Sequence, residues 1–363
     1  MPWRLLGLAL VVCLPTGTAA IAHGATSTLP GRNGGIAVVA RHTLTLVSSG
    51  GSRLRTRTGF GGENLSSAPD GHHLAYDQYR GGRETGTWEL YVATSDASKP
   101  RRITSHPTAT WEACGTGVAD THPSWSPDGR QLVFQSERAP DGSTACDRTW
   151  SLWLVDADGT NLRPLTIPED NCAGPSEPNW SSTRRIAFVW SKQVGVEPYD
   201  PGQPKCFVNV YSVSADGSDL RQVTRFKNDP FAKADVDAYP PLPSDPEWSP
   251  NGERLLFSYR DTRYVITAGG TGLARLGNYY DTWAPDGKRI ALIAPQRPLN
   301  PLRFPNAELY TASFACAEAV ARAPKYFAKP TGTCRSLKKV QYLQGVRPDL
   351  PGFLLEIAWQ PLR

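Results

Sequence analysis

The chain has 363 residues and a formal net charge of +5 at pH 7, and its 33 Gly, 32 Pro and 11 Trp against a single Met describe many turns and short strands rather than long helices. Lys and Arg never run longer than a pair such as Arg101-Arg102, which excludes the clustered basic footprint of a nucleic-acid binder.

In chain order, the first element is a secretory signal pattern. Arg4 supplies a positive charge, Leu5–Leu14 form an apolar run, and Ala20 and Ala22 give a small-x-small cleavage site ahead of His23. The run falls short of the roughly 20 apolar residues that span a bilayer. Residues 1–22 are therefore expected to be a signal peptide and the protein to be secreted or periplasmic, with no transmembrane segment once the signal is gone. Cys13 follows Val12, where a lipoprotein signal wants a small residue, and belongs to the discarded segment. Residues 23–32 read as a short linker.

Beyond the signal stand Cys114, Cys146, Cys172, Cys206, Cys316 and Cys334, an even set with no Cys-x-x-Cys pair. In an exported chain that pattern predicts disulfides and no zinc site on these thiols. Equivalent places in successive repeats suggest Cys114 with Cys146 and Cys172 with Cys206, with Cys316 and Cys334 joined across the last long hairpin; Cys146 with Cys172 is the rival pairing.

The rest of the chain is dominated by an internal repeat. WSPDGRQLVF (Trp125–Phe134) returns as WSPNGERLLF (Trp248–Phe257) and WAPDGKRIAL (Trp283–Leu292), and more loosely as SAPDGHHLAY (Ser67–Tyr76) and WSSTRRIAF (Trp180–Phe188). Each copy is followed by a second pattern, as in WSLWLVDADGTNLRPLT (Trp150–Thr166) and VNVYSVSADGSDLRQVT (Val208–Thr224). In each unit Trp ends a short strand, Pro withholds a ladder donor, and Asp-Gly supplies a tight turn into an alternating apolar strand; a second Asp-Gly turn leads to a polar outer strand. Four strands per unit, repeated around a ring, make a propeller blade.

Asn33–Thr58 carries the second to fourth strands of a repeat without a Trp-x-Pro strand ahead of it, whereas EIAWQPL (Glu356–Leu362) is such a strand with nothing after it. The predicted fold is therefore an all-β, six-bladed propeller over residues 33–363, with four-stranded antiparallel blades and the C-terminal strand completing blade one.

These residues resemble the WD-like propeller repeat of the TolB family, whose signature is Trp-Ser-Pro-Asp-Gly before an apolar strand and an Asp-Gly-Thr turn before Leu-Thr. The resemblance covers nearly all of the chain after the signal. It implies a propeller in the periplasm or outside the cell that acts through protein contacts, here without the additional N-terminal domain of TolB itself.

Enzyme motifs are not found: the sequence has no Gly-x-Ser-x-Gly, no His-Glu-x-x-His and no P-loop lysine pattern. Gly269–Gly272 and Asp156–Gly159 read as hairpin turns, and His72 and His73 as solvated turn residues. Insertions gather on one face, in His106–Thr121, Glu137–Arg148, Gln193–Lys205, Phe226–Ser244 and Gln296–Asn306, which marks the expected working surface. Three residues before each repeated Trp, at the start of the innermost strand, stand His122, Glu177, Asp245, Tyr280 and Glu356, with Asn64 equivalent before Ser67. A ring of these side chains at the channel mouth is suited to a cationic ligand, a basic peptide tip or a metal ion. The sequence thus points to an exported binding scaffold with no cofactor, recognising a protein, peptide or envelope ligand. The alternative is a hydrolase or lyase that works from carboxylates at the channel mouth.

Overall fold

The computed structural model describes residues 32–40, 42–48, 52–81, 86–106, 119–138, 150–168, 172, 174–197, 200–226, 242–259, 262–277, 280–295, 307–313, 338–343 and 355–362. Among these residues every element is a strand, and no helix is long and apolar enough to cross a membrane. The strands fall into four-stranded antiparallel sheets. Five sheets are each built from consecutive strands: β4 (Gly62–Ser67) to β7 (Arg101–Arg102), β8 (Asp120–Trp125) to β11 (Arg163–Pro164), β12 (Ser176–Trp180) to β15 (Arg221–Gln222), β16 (Ser244–Trp248) to β19 (Ala274–Gly277), and β20 (Tyr280–Trp283) to β23 (Lys338–Leu343). In a further sheet β24 (Leu355–Leu362) lies beside β1 (Arg32–Ala40), followed by β2 (Thr43–Val47) and β3 (Arg53–Thr58), with Trp359 opposite Ile36 and Glu356 opposite Val39. The molecule is a β-propeller.

The second, third, fifth and sixth blades start the same way because their turn chemistry is the same, and the fourth makes a shorter version through Ser181 and Arg184. In the third, Ser126 N–H bonds to Gln131 O, Gly129 N–H bonds to Ser126 O, and Ser126 Oγ donates to Asp128 Oδ1 at 2.7 Å. Gly129 sits at φ 71°, in the left-handed region that a side chain disfavours, and Gly252 repeats it at 71°. The expected turn at Asp156–Gly159 is also present, with Asp158 Oδ1 accepting from Thr160 N–H and Oγ1–H. His72 and His73 are exposed at their turn, where His73 Nδ1 meets Asp70.

Strand alternation then builds the core between blades. Leu132 and Phe134 of β9 (Gln131–Ser136) pack with Trp125, Trp153 and Val155 against Ala75, Leu90 and Val92 of the preceding blade. Val133 points the other way and joins Trp180, Ile186, Phe188 and Trp190 of the following blade. The seam after that gathers Ala187 and Val210 with Trp248, Leu255 and Phe257. The third and fourth blades therefore each contribute apolar residues to two seams.

One sequence expectation needs correction. Gln193–Lys205 is not a loop: β13 (Arg185–Glu197) and β14 (Asp200–Ser214) continue as one long hairpin, with Gln193 opposite Cys206 and Val196 opposite Pro204. Ladder pairing needs only backbone groups, so Pro and Gly in an edge extension did not stop it. The outer strand of the last consecutive sheet is β23, from Lys338 to Leu343. Most of the other four expected loops lies outside the described residues.

Candidate functional site

The register three residues before each repeated Trp rests on a repeated backbone irregularity. In β4, β8, β12 and β16 the pairing with the second strand slips between Glu63 and Ser66, Thr121 and Ser124, Ser176 and Asn179, and Ser244 and Glu247. One residue in each bulge takes a left-handed conformation: Asn64 (φ 52°), His122 (56°), Glu177 (53°) and Asp245 (50°). For a residue with a side chain this costs roughly 1–2 kcal/mol. Pro123, Pro178 and Pro246 follow directly, and lacking an N–H they lose no ladder bond at the slip.

The bulge turns each N–H from its own blade toward the preceding one. His122 N–H bonds to Asp77 Oδ2 at 2.9 Å, and Glu177 N–H to Gln135 Oε1 at 2.6 Å. Asp77 and Gln135 occupy the same place, one residue past the aromatic of the second strand. In the next blade that place is Val189, which has no acceptor, and Asp245 N–H bonds instead to Glu177 Oε2 at 2.6 Å. A second rung lies one turn of the pleat away. Trp180 N–H bonds to Ser124 Oγ (2.8 Å), Trp248 N–H to Asn179 Oδ1 (2.9 Å), and Trp283 N–H to Glu247 Oε1 (3.1 Å), each reaching into the blade before.

Three of the six expected residues are brought together: one ligand-type atom from each of His122, Glu177 and Asp245 lies within 4.8 Å of the others. Asp245 is buried, and the other two are half-buried. Burial pushes the Glu177 carboxyl up to about 8, the neighbouring Asp245 charge adds to the rise, and the bond from Asp245 N–H opposes it. Burial holds the His122 imidazole down at about 4 against the pull of Asp245, so near neutral pH the ring is uncharged; its Nδ1 lies 3.2 Å from Thr121 Oγ1. Asn64 shares the register, but its Nδ2 donates to Asp77 Oδ2 at 2.7 Å. Tyr280 and Glu356 lie on β20 and β24, with their backbones opposite Ile293 and Val39; their side chains are outside the described residues.

The sequence reading missed the supporting residues Asp77, Gln135 and Thr121. A polar side chain directly after the strand aromatic, where another repeat has Val189, is the signal that could have found the first two. It also missed two buried ion networks. Arg263 bonds to Asp281 Oδ1 at 2.6 Å beside Glu247, and Arg138 and His106 both reach Asp120 Oδ2, at 2.8 and 2.9 Å. Burial pushes the Glu247 carboxyl up to about 8, against the pull of Arg263.

Of the expected disulfides, Cys172–Cys206 is formed, with its Cα atoms 6.1 Å apart, and it ties the base of the long hairpin to the segment entering the same blade. Cys114, Cys146, Cys316 and Cys334 are outside the described residues.

No family model matches the chain. A segment of 64 residues, 18% of this chain, is 42% identical to the Tol-Pal system protein TolB of Rhizorhabdus wittichii, and that match spans 12% of the relative's length. The crystal structure of TolB from Acinetobacter baumannii superposes with a TM-score of 0.56 at 15% identity, covering 92% of this chain and 68% of that one. In fold, this chain is a β-propeller similar to that of TolB. Kuenenia stuttgartiensis hydrazine synthase shares the architecture at a TM-score of 0.53 and 11% identity, over 88% of this chain and 48% of that one. Identities this low speak for the fold alone.

Proposed function

We propose that the protein is an exported binding scaffold of the cell envelope that recognises a protein or peptide partner at the channel mouth of a six-bladed propeller. The observation that carries this reading is the convergence of His122, Glu177 and Asp245, donated by three successive blades at one register. Residues at such a point are held by the whole ring, the rigid support that recognition requires. The likeness to TolB, a protein named for the Tol-Pal system, supports an envelope setting, and the signal pattern in residues 1–22 supports export. Six-blade closure is supported by the pairing of β24 with β1 and by the contacts of β24 with both β4 and β20. The test is capture from envelope extract by the wild-type protein and by a His122→Asn, Glu177→Gln, Asp245→Asn variant. A partner retained only by the wild type agrees with this reading, and equal capture contradicts it.

One arrangement favours a second reading, a hydrolase or lyase: burial and then the Asp245 charge push the Glu177 carboxyl up to about 8, and the two carboxyl groups lie within 4.8 Å of each other, the juxtaposition from which paired acids work. Turnover of an envelope glycan that Glu177→Gln abolishes would establish it.

A further inference from the structure

We propose that His122, Glu177 and Asp245 bind a divalent first-row transition metal ion, with zinc as the best fit. This deepens the preceding reading, because it assigns a ligand to the same three residues. The donor set is one imidazole nitrogen and two carboxylate oxygens, and their atoms lie within 4.8 Å of one another. A tetrahedral ion about 2.0–2.2 Å from each donor holds them about 3.3–3.6 Å apart, so the three side chains close on it by up to about 1.5 Å, a shift within the reach of rotations about their own bonds. Calcium and magnesium prefer sites made wholly of oxygen, whereas an imidazole among carboxylates suits zinc and its neighbours.

The surroundings hold the donors as an outer shell holds metal ligands. The His122 backbone is tied to Asp77 and its Nδ1 lies against the Thr121 hydroxyl. When Nδ1–H donates to the Thr121 hydroxyl, Nε2 carries the lone pair that a metal ion would take. Glu177 Oε2 is engaged by Asp245 N–H, which fixes that carboxylate and orients Oε1 as its metal donor. The buried Arg263 guanidinium flanks the site: it bonds to Asp281 Oδ1, Ser258 Oγ and the Asp245 carbonyl oxygen, and it feels the Asp245 charge. Three protein donors leave at least one position of a tetrahedral ion for water or for a group from a partner, the arrangement of an open rather than a closed zinc site.

The experiment is isothermal titration of the purified, chelator-treated protein with zinc sulfate, repeated with calcium chloride, together with the visible spectrum of the cobalt-loaded protein. The expected result is one zinc ion per chain, no competition from millimolar calcium, and a cobalt spectrum of low coordination number. His122→Asn is the decisive variant, because Asn64 already occupies the equivalent left-handed position and the backbone is preserved. It should weaken zinc at least tenfold and abolish the cobalt spectrum, with the thermal unfolding midpoint of the metal-free protein unchanged within about 3 °C. Glu177→Gln should weaken zinc in the same way. Absence of zinc binding, calcium binding in its place, or zinc binding unaltered in both variants overturns the proposal. Partner capture repeated in chelator is read separately, so a failed zinc titration leaves the scaffold reading standing and a failed capture leaves the metal site standing.

Discussion

The two ends of the innermost strands repeat in different ways. At the Trp end both backbone and side chains recur: Trp125, Trp180, Trp248 and Trp283 fill blade seams, and Ser126 with Asp128 or Ser249 with Asn251 close the same turn. At the mouth end only the backbone recurs. Asn64, His122, Glu177 and Asp245 share one left-handed bulge but carry an amide, an imidazole and two carboxyl groups. The difference separates two demands. A seam needs the same volume in every blade, because each blade packs against copies of itself, while a mouth needs a fixed scaffold that carries different groups to one point.

This comparison is broken most severely at the Trp end. Trp248 is 1% exposed in the seam between two blades, and Trp248→Ala should lower unfolding free energy by about 3–5 kcal/mol, read as a shift of the denaturant midpoint. His122→Asn should cost less than about 1 kcal/mol by the same measurement. A comparable loss at both positions would erase the distinction between seam and mouth.

Next in size is the ion network that lies between the two regions. Asp281→Ala leaves the Arg263 guanidinium, which is buried, without its 2.6 Å partner and should destabilise by about 3 kcal/mol. A loss below 1 kcal/mol would mean that Glu247 compensates. The inter-blade rungs come after that. Ser124→Ala removes the acceptor of Trp180 N–H and should cost about 1–2 kcal/mol, with no change at the mouth.

An effect of similar size sharpens the comparison through pH. Burial pushes the Glu63 carboxyl, beside the first bulge, up to about 7 from an ordinary 4.5. Between those values the folded state keeps a proton that the unfolded chain has released, so stability falls as pH rises through this window. In Glu63→Gln the fall between pH 4.5 and 7.5 should shrink by roughly 2 kcal/mol, measured by denaturant unfolding at both pH values. An unchanged pH dependence would place the origin of the fall elsewhere.

The seam was legible in the sequence because a repeated Trp, Pro and Asp-Gly each have one local meaning, and alternation decides which side every residue faces. The mouth was legible as a register, three residues before Trp, and this was enough to bring His122, Glu177 and Asp245 to one point. The bulge beneath them was not, since none of its residues is glycine and a left-handed histidine or glutamate leaves no compositional mark. Asp77 and Gln135 escaped for a related reason: their partners are backbone N–H groups of the next blade, more than 40 residues further on. Gln193–Lys205 read as a loop because its prolines and glycines signal turns, although its pairing is set by the strands on either side.

The claim that the mouth residues serve recognition and not folding is tested most directly by pairing two measurements on the His122→Asn, Glu177→Gln, Asp245→Asn variant: its thermal unfolding midpoint and its capture of an envelope partner beside the wild type. The account predicts a midpoint within about 3 °C of wild type and loss of the captured partner. A variant that keeps its partner, or one that unfolds far below the wild type, would contradict it.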